Sequence, residues 1–306
     1  MKTVSDKRRI KELQSRISIL TGDTPCKIHL MHITLIVESI RLFLKYSAFG
    51  DRGFNNAMDI IVSEHVMKFK NLPRAFDGFK ILLITDLHID GIPDLSSKIL
   101  EKALALDFDI CLLGGDYRFY NCGNTRNVCD RMKTFISSMK TKRREIAAVL
   151  GNHDEFEIAK ELDSNGVKML INENLPIIRD GAKIYLCGVD DCHYYGSDSL
   201  SESLEGVPDD AFKILLCHSP ELYAKAEKSG FDLYLAGHTH GGQMCPVPGF
   251  PILIQAKIPR KLAAGEWKFK NIQGYTSTGA GSSGVPARFN CPPEIATITL
   301  EREESH

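Results

Sequence analysis

Five short apolar runs in this 306-residue chain end in residue types that hold divalent metals. The run 81–84 leads into Asp86-Leu87-His88, and the run 110–113 into Gly114-Gly115-Asp116. The run 147–150 leads into Gly151-Asn152-His153-Asp154. The run 214–217 leads into His218, and the run 233–236 into Gly237-His238-Thr239-His240. A single Asp or His after an apolar run is ordinarily a loop residue or a helix cap. Five in succession, using five of only ten histidines, point instead to one shared metal site.

Such residues need a scaffold that brings strand ends together. Strands are expected at 64–69, 79–85, 109–113, 146–150, 176–179, 183–188, 212–217, 231–236, 272–277 and 295–300. Helices are expected at 94–106, 125–140, 155–164 and 219–229. Strands alternating with helices indicate an α/β fold, and the strand-rich last third indicates a partly antiparallel sheet. Open α/β sheets place their sites beyond the carboxyl ends of strands, where all five polar blocks fall. Composition agrees: 43% apolar and 25% charged residues suit a globular domain with a sizeable core. Lys and Arg total 38 against 39 acidic residues, so no chain-wide cationic field favours nucleic acid as a partner.

In their order and spacing the five blocks resemble the calcineurin-like metallophosphoesterase superfamily, over about residues 65–300. The extended tract Gly237-His238-Thr239-His240-Gly241-Gly242-Gln243 is similar to a bacterial branch that includes UDP-2,3-diacylglucosamine pyrophosphatases and phosphodiesterases. The tail from Gly281-Ser282-Ser283-Gly284 through Arg288 and Pro292-Pro293-Glu294-Ile295 resembles the same branch. The resemblance implies a layered α/β sandwich of two mixed β-sheets flanked by helices. It also implies two divalent ions, which neutralise phosphoryl charge, lower the pKa of a shared water and hold an in-line geometry. By resemblance Asp86, His88, Asp116 and His240 hold one ion, while Asp116, Asn152, His218 and His238 hold the other. The shared ligand must offer two usable oxygens, which suits Asp116. Imidazoles mixed with hard oxygens suit Mn²⁺, with Fe²⁺ or Zn²⁺ as alternatives, better than Ca²⁺ or Mg²⁺. His153 is implied to protonate the leaving oxygen with Asp154 in support, although Asp154 could equally cap the helix that follows. Asp116 is followed by Tyr117-Arg118-Phe119-Tyr120, without the second acid that many superfamily members carry there.

The implied reaction is attack by a metal-bound hydroxide on a phosphodiester or pyrophosphate. UDP-2,3-diacylglucosamine, giving UMP and lipid phosphate in lipid A biosynthesis, is the leading specific substrate. Alternatives are a broad-specificity phosphodiesterase or phosphomonoesterase, and a non-catalytic metal-dependent scaffold. The stretch 279–284 fits GxGxxG, but no helix of dinucleotide type follows, and its glycines are expected to let backbone approach the metals. Arg288 is a candidate for substrate phosphate, with a structural role as the alternative. The Pro-rich apolar loop 244–254, trailed by Lys257, Arg260 and Lys261, would suit an acylated anionic phosphate. Its apolar residues Ile252, Leu253 and Ile254 could instead enter the core.

Residues 1–63 form a basic and amphipathic helical extension before a catalytic domain at 64–306. Lys2, Lys7, Arg8, Arg9, Lys11 and Arg16 outnumber Asp6 and Glu12 in the first sixteen residues. In the apolar stretch 28–46, Thr34, Glu38, Arg41 and Lys45 form one polar helical stripe. The helix either docks on the domain with that stripe wet, which is the favoured reading, or lies in a membrane interface beside the basic segment. A spanning anchor is a third, weaker reading. The nine cysteines include no CxxC pair and are expected as reduced thiols, placing the protein in the cytoplasm, with peripheral contact to the inner membrane face left open. The sequence leaves the oligomeric state undetermined.

Overall fold

The computed structural model describes residues 5–21, 38–120, 123–251 and 253–304. Two six-stranded mixed sheets face each other. In the first, β1 (Ile61–Phe69), β12 (Glu294–Arg302), β2 (Phe79–Ile84), β3 (Ile110–Leu113), β4 (Glu145–Ala148) and β5 (Lys168–Met169) lie side by side in that order. The second has the order β10 (Gly265–Phe269), β11 (Ile272–Thr276), β9 (Leu233–Ala236), β8 (Lys213–Leu216), β7 (Ala182–Gly188) and β6 (Glu173–Arg179). Strands β2 to β5 run parallel, as do β7, β8, β9 and β11, and β12 is antiparallel to β2.

Burial on both faces explains the unbroken apolar runs. Ile81, Leu83, Ile110 and Leu112 meet Ile184, Leu186, Ile214, Leu216, Leu233 and Leu235 between the sheets. Their neighbours Leu82, Ile84, Cys111 and Leu113 point the other way. There they meet helices α3 (Leu95–Ala105), α4 (Arg126–Met139) and α5 (Phe156–Ser164). On the far side, Cys187, Leu215, Cys217 and Tyr234 pack against Leu222, Ala226 and Trp267. The result is the expected helix–sheet–sheet–helix sandwich, with its polar blocks at the carboxyl ends of β2, β3, β4, β8 and β9.

Several boundaries differ from expectation. Strand β1 begins at Ile61 and pairs along its length with β12, so the sheet reaches back across the division expected at 63/64. The short β5 and the Trp267-containing β10 carry too few alternating residues to announce themselves. The helix expected at 219–229 is a 3₁₀ turn at Pro220–Leu222 followed by a helix at Tyr223–Lys228, and the Ser219 hydroxyl caps neither. Helix α1 (Asp6–Thr21) lies within the basic N-terminal segment. Residues 22–37, which include Thr34 and the start of the apolar stretch, lie outside the described residues. Residues 38–45 are helical, precede α2 (Phe49–Met58) and dock through buried Leu44 beside Val285 and Ala287. Arg41 of the expected wet stripe turns to the protein and donates to Gly284 O at 2.6 and 2.9 Å. Among the described residues no helix is long and apolar enough to cross a membrane. The described cysteines are free.

Candidate metal centre

At the strand ends the chain must turn sharply enough to aim side chains back at a common point. Asp86, His88, Asp116, His238 and His240 all have positive φ, between 39° and 69°. Left-handed backbone is costly for such residues and is characteristic of functional sites. Asp86 N donates to Gly115 O and His88 N to Asp116 O, which ties the first two blocks together.

Three donor groups result. Asp86, His88 and His240 form one; Asp116, His218 and His238 form another; His88, Asp116 and His153 form a third. In each, one ligand atom from every residue lies within 4.8 Å of the others. Asp116 stands between them: its Oδ2 is 3.3 Å from His218 Nε2, 3.8 Å from His153 Nε2 and 3.9 Å from His88 Nε2. Its Oδ1 accepts from His153 N at 2.9 Å, leaving Oδ2 as the atom facing both groups. His240 Nε2 lies 3.4 Å from Asp86 Oδ1 and 3.2 Å from His88 Nε2. Asn152 Oδ1 is 3.1 Å from His218 Nε2.

Main-chain carbonyls fix four of the rings. His88 Nδ1 donates to Arg118 O at 2.7 Å, His153 Nδ1 to Phe119 O at 2.8 Å and His218 Nδ1 to Gly114 O at 2.8 Å. His238 uses the opposite nitrogen, with Nε2 donating to Gln255 O at 2.8 Å. Each ring thereby turns its other nitrogen toward the acids, the arrangement found around metal-ligating histidines. The stretch after Asp116 that lacks a second acid thus supplies carbonyls at Arg118 and Phe119 in its place.

Electrostatics fit cations. Burial and the neighbouring His153 push His88 down to about 3, and burial with His218 does the same to His238. His240 is driven well below its usual range by burial and by Arg288, so these rings are neutral. Burial raises Asp86 to about 6. Burial opposes charge on both Asp116 and His218 too, but their mutual attraction prevails: Asp116 is held well below its ordinary value and His218 well above. Converging acids and ring nitrogens of this kind suit divalent ions.

Two expected roles change. The Asp154 carboxylate does not touch the His153 ring, nor does it cap α5, whose N-cap is Glu155. It accepts from Asp116 N at 2.8 Å and from Tyr117 N and Gly151 N at 2.9 Å, binding the second and third blocks together. Arg288 is fully buried, and its donors are committed to main-chain carbonyls. Its guanidinium donates to the carbonyls of Gly281, Thr278 and Gly279, and its Nη2 lies 3.1 Å from His240 Nδ1. Arg288 thereby braces the 278–281 loop beside His240.

Other contributors were not singled out from the sequence. The His193 ring centroid lies 4.2 Å from that of His238, and His193 Nδ1 pairs with Glu221 Oε2 at 2.9 Å. A signal existed, since β7 also ends in a polar block, Asp190-Asp191-Cys192-His193. Arg8, buried beside the Gly151–Glu155 turn, had no sequence signal. Around the site, Val247, Phe250 and Leu253 are more than half exposed, so the loop does not bury these residues in the core; Ile252 lies outside the described residues. Arg260 stacks over Phe250 at 5.3 Å. Leu42, Phe43, Tyr46 and Phe49 are exposed on the docked segment, which approaches the same loop through Met244 and Phe289.

The chain is similar to known proteins. A family model described as Calcineurin-like phosphoesterase matches residues 79–242. The phosphodiesterase YaeI of Escherichia coli is 30% identical over 72% of this chain and 82% of its own. The uncharacterized metallophosphoesterase YkuE of Bacillus subtilis is 27% identical over 83% of this chain and 91% of its own. An uncharacterized metallophosphoesterase of Helicobacter pylori is 29% identical over 76% of this chain, a match that spans only 64% of the Helicobacter protein.

Proposed function

The chain belongs to the calcineurin-like phosphoesterase family, and from that premise we propose that it is a metal-dependent hydrolase of phosphodiester or pyrophosphate bonds. The observation that carries this reading is the Asp116 carboxylate, whose one free oxygen faces ring nitrogens of both donor groups. Asp86, His88 and His240 would hold one ion; His218, His238 and Asn152 would hold the second; Asp116 would serve both. When bound, the ions supply neutralisation of phosphoryl charge and a lower pKa for the attacking water. Mn²⁺ is the proposed metal, with Fe²⁺ or Zn²⁺ next, because the donors mix imidazole with carboxylate and amide oxygen.

The protein's own residues do the rest. With Nδ1–H committed to Phe119 O, His153 presents Nε2 at the partly exposed edge of the cluster. Protonated there, it can donate to the leaving oxygen as general acid. Asp154 holds the turn that aims it. The proposed substrate is an anionic phosphate with an apolar tail, of which UDP-2,3-diacylglucosamine is the specific candidate. Exposed Val247, Phe250 and Leu253, with Arg260 beside them, support that choice and a peripheral contact with the cytoplasmic membrane face. The name of the YaeI relative favours a second reading, a phosphodiesterase of broader range.

Purified protein loaded with Mn²⁺ should turn over bis-p-nitrophenyl phosphate and release UMP and lipid phosphate from UDP-2,3-diacylglucosamine. Turnover of the first alone would favour the broader phosphodiesterase. Failure on both with Mn²⁺, Fe²⁺ and Zn²⁺ would leave a metal-binding scaffold.

A further inference from the structure

The catalytic blocks begin at Asp86, yet one of the most deeply buried cations beside them comes from residue 8. Arg8 sits on α1 with a fully buried side chain, and its Nη1 pairs with an equally buried Asp190. Nη2 donates to Asp154 O and, at 3.4 Å, to Gly151 O. Nε bonds Glu12 Oε1 at 3.0 Å, and that same oxygen accepts from Phe156 N at 2.9 Å. The guanidinium lies 4.0 Å over the Tyr195 ring, whose hydroxyl also donates to Asp154 O, at 3.2 Å.

These contacts close around one turn. Residues 151–155 carry Asn152 and His153, and the Asp154 carboxylate already ties the turn to Asp116 from inside the cluster. Arg8 and Tyr195 hold the main-chain oxygen of the same residue from outside, and Glu12 holds the amide at the start of α5. Asp190, the other anchor, accepts from Asp191 N at 2.9 Å and from Ser197 Oγ at 2.7 Å at the foot of the loop bearing His193. One guanidinium therefore bridges the two loops that border the donor groups. Its three nitrogens reach four acceptors, three of them on the two loops, a planar span that the single nitrogen of lysine does not provide.

We infer that Arg8 is a positioning residue for the hydrolysis proposed above: it clamps the Gly151–Glu155 turn against the 190–197 loop, so that Asn152 and His153 face the metals. The N-terminal helix is then part of the active-site support. The inference rests on the proposed activity for its kinetic consequence but not for its structural one. Loss of an outer partner of this kind lowers activity by about 10- to 100-fold.

The test uses the full chain with Arg8→Ala and Arg8→Lys, and Arg9→Ala as a control on an exposed residue of the same helix. In metal-free protein, hydrogen exchange read by mass spectrometry should speed up in peptides covering 116–118 and 150–157 in both Arg8 variants, and not in Arg9→Ala. With Mn²⁺ bound, kcat on bis-p-nitrophenyl phosphate should fall about 10- to 100-fold with KM little changed. Guanidinium ion at low millimolar concentration should recover part of the loss in Arg8→Ala, whereas methylammonium should not. Unchanged exchange in the 150–157 peptide overturns the inference, as does a wild-type kcat in either variant. A loss confined to KM does so as well. If Arg8→Ala fails to fold, Arg8→Lys decides by the same measurements. If wild-type protein turns over nothing, the proposed activity fails while the exchange result still judges the clamp.

Discussion

Gly151 opens the turn that carries Asn152 and His153, and the structure gives a specific reason for glycine there. A Cβ on residue 151 would lie 2.1 Å from Asp116 Oδ1, 2.6 Å from Asp116 N and 2.8 Å from its Cγ. An ordinary close carbon–oxygen contact is about 3.3 Å, so Gly151→Ala forces the carboxylate or the turn to yield by about 1.2 Å. Neither moves freely. Asp116 Oδ1 is held by His153 N, and Asp116 N and Gly151 N share one oxygen of Asp154. Overpacking at a closed site of this kind costs about 1–3 kcal/mol of stability, so the variant should fold. The larger effect is on chemistry, because a displacement of about 1 Å at reacting groups lowers the rate about 100-fold, or about 2.7 kcal/mol in activation free energy. The assay is turnover of bis-p-nitrophenyl phosphate at saturating Mn²⁺, with bound metal measured on the same sample. We expect kcat about 100-fold down with circular dichroism unchanged. A folded Gly151→Ala protein with kcat within about threefold of wild type would refute the claim that the 151–116 approach sets the site geometry.

His153→Ala should keep its bound metal while kcat falls about 10²- to 10⁴-fold, the usual range for loss of a general acid; full turnover in a metal-loaded variant rejects the role. Chelation should abolish turnover and Mn²⁺ should restore it. Because His218 binds its proton more tightly than an ordinary histidine when no metal is present, metal loading should expel that proton. Protons therefore compete below the raised pKa and cease to compete as pH rises through it. Calorimetry in buffers of different ionisation enthalpy would show the release, and a buffer-independent binding heat would contradict it. Replacing Phe43 and Phe250 by Ser should weaken co-sedimentation with anionic vesicles by more than tenfold, since each exposed ring contributes about 2 kcal/mol when buried in lipid. Equal sedimentation of variant and wild type, or none by either, removes the membrane-contact reading.

Much of this centre was legible in the chain because both sheets bury both faces. Double burial turns β2, β3, β4, β8 and β9 into apolar runs, and their ends stand out by contrast. The blocks that carry Asp86, His88, Asp116, Asn152, His218, His238 and His240 could therefore be located from order and type, and the resemblance to the superfamily implied which of these residues are ligands. What side chains do after the turn was less legible. Asp154 read as a partner of His153 because the two are adjacent, yet adjacent residues on a tight turn point apart. Arg288 read either as a phosphate ligand, because its planar donors suit one, or as a structural residue, and the sequence did not choose between them. Its burial followed only from the return of residues 278–291 over His240.

The sequence alone determined the donor types, the α/β class and the chemistry that such donors permit, because these depend on local pattern and on residue identity. Tertiary structure decided which way the rings face and what supports them. Carbonyls of Arg118, Phe119, Gly114 and Gln255 orient the rings, and no side-chain pattern advertises a carbonyl. Arg8 and Asp190 meet across 182 residues, a pairing that only the folded chain brings within reach. Hydrogen bonds and ion pairs act over a few ångströms of space and are indifferent to separation along the chain. For that reason the polar blocks could be read in order, while the clamp that holds their turn had to be seen.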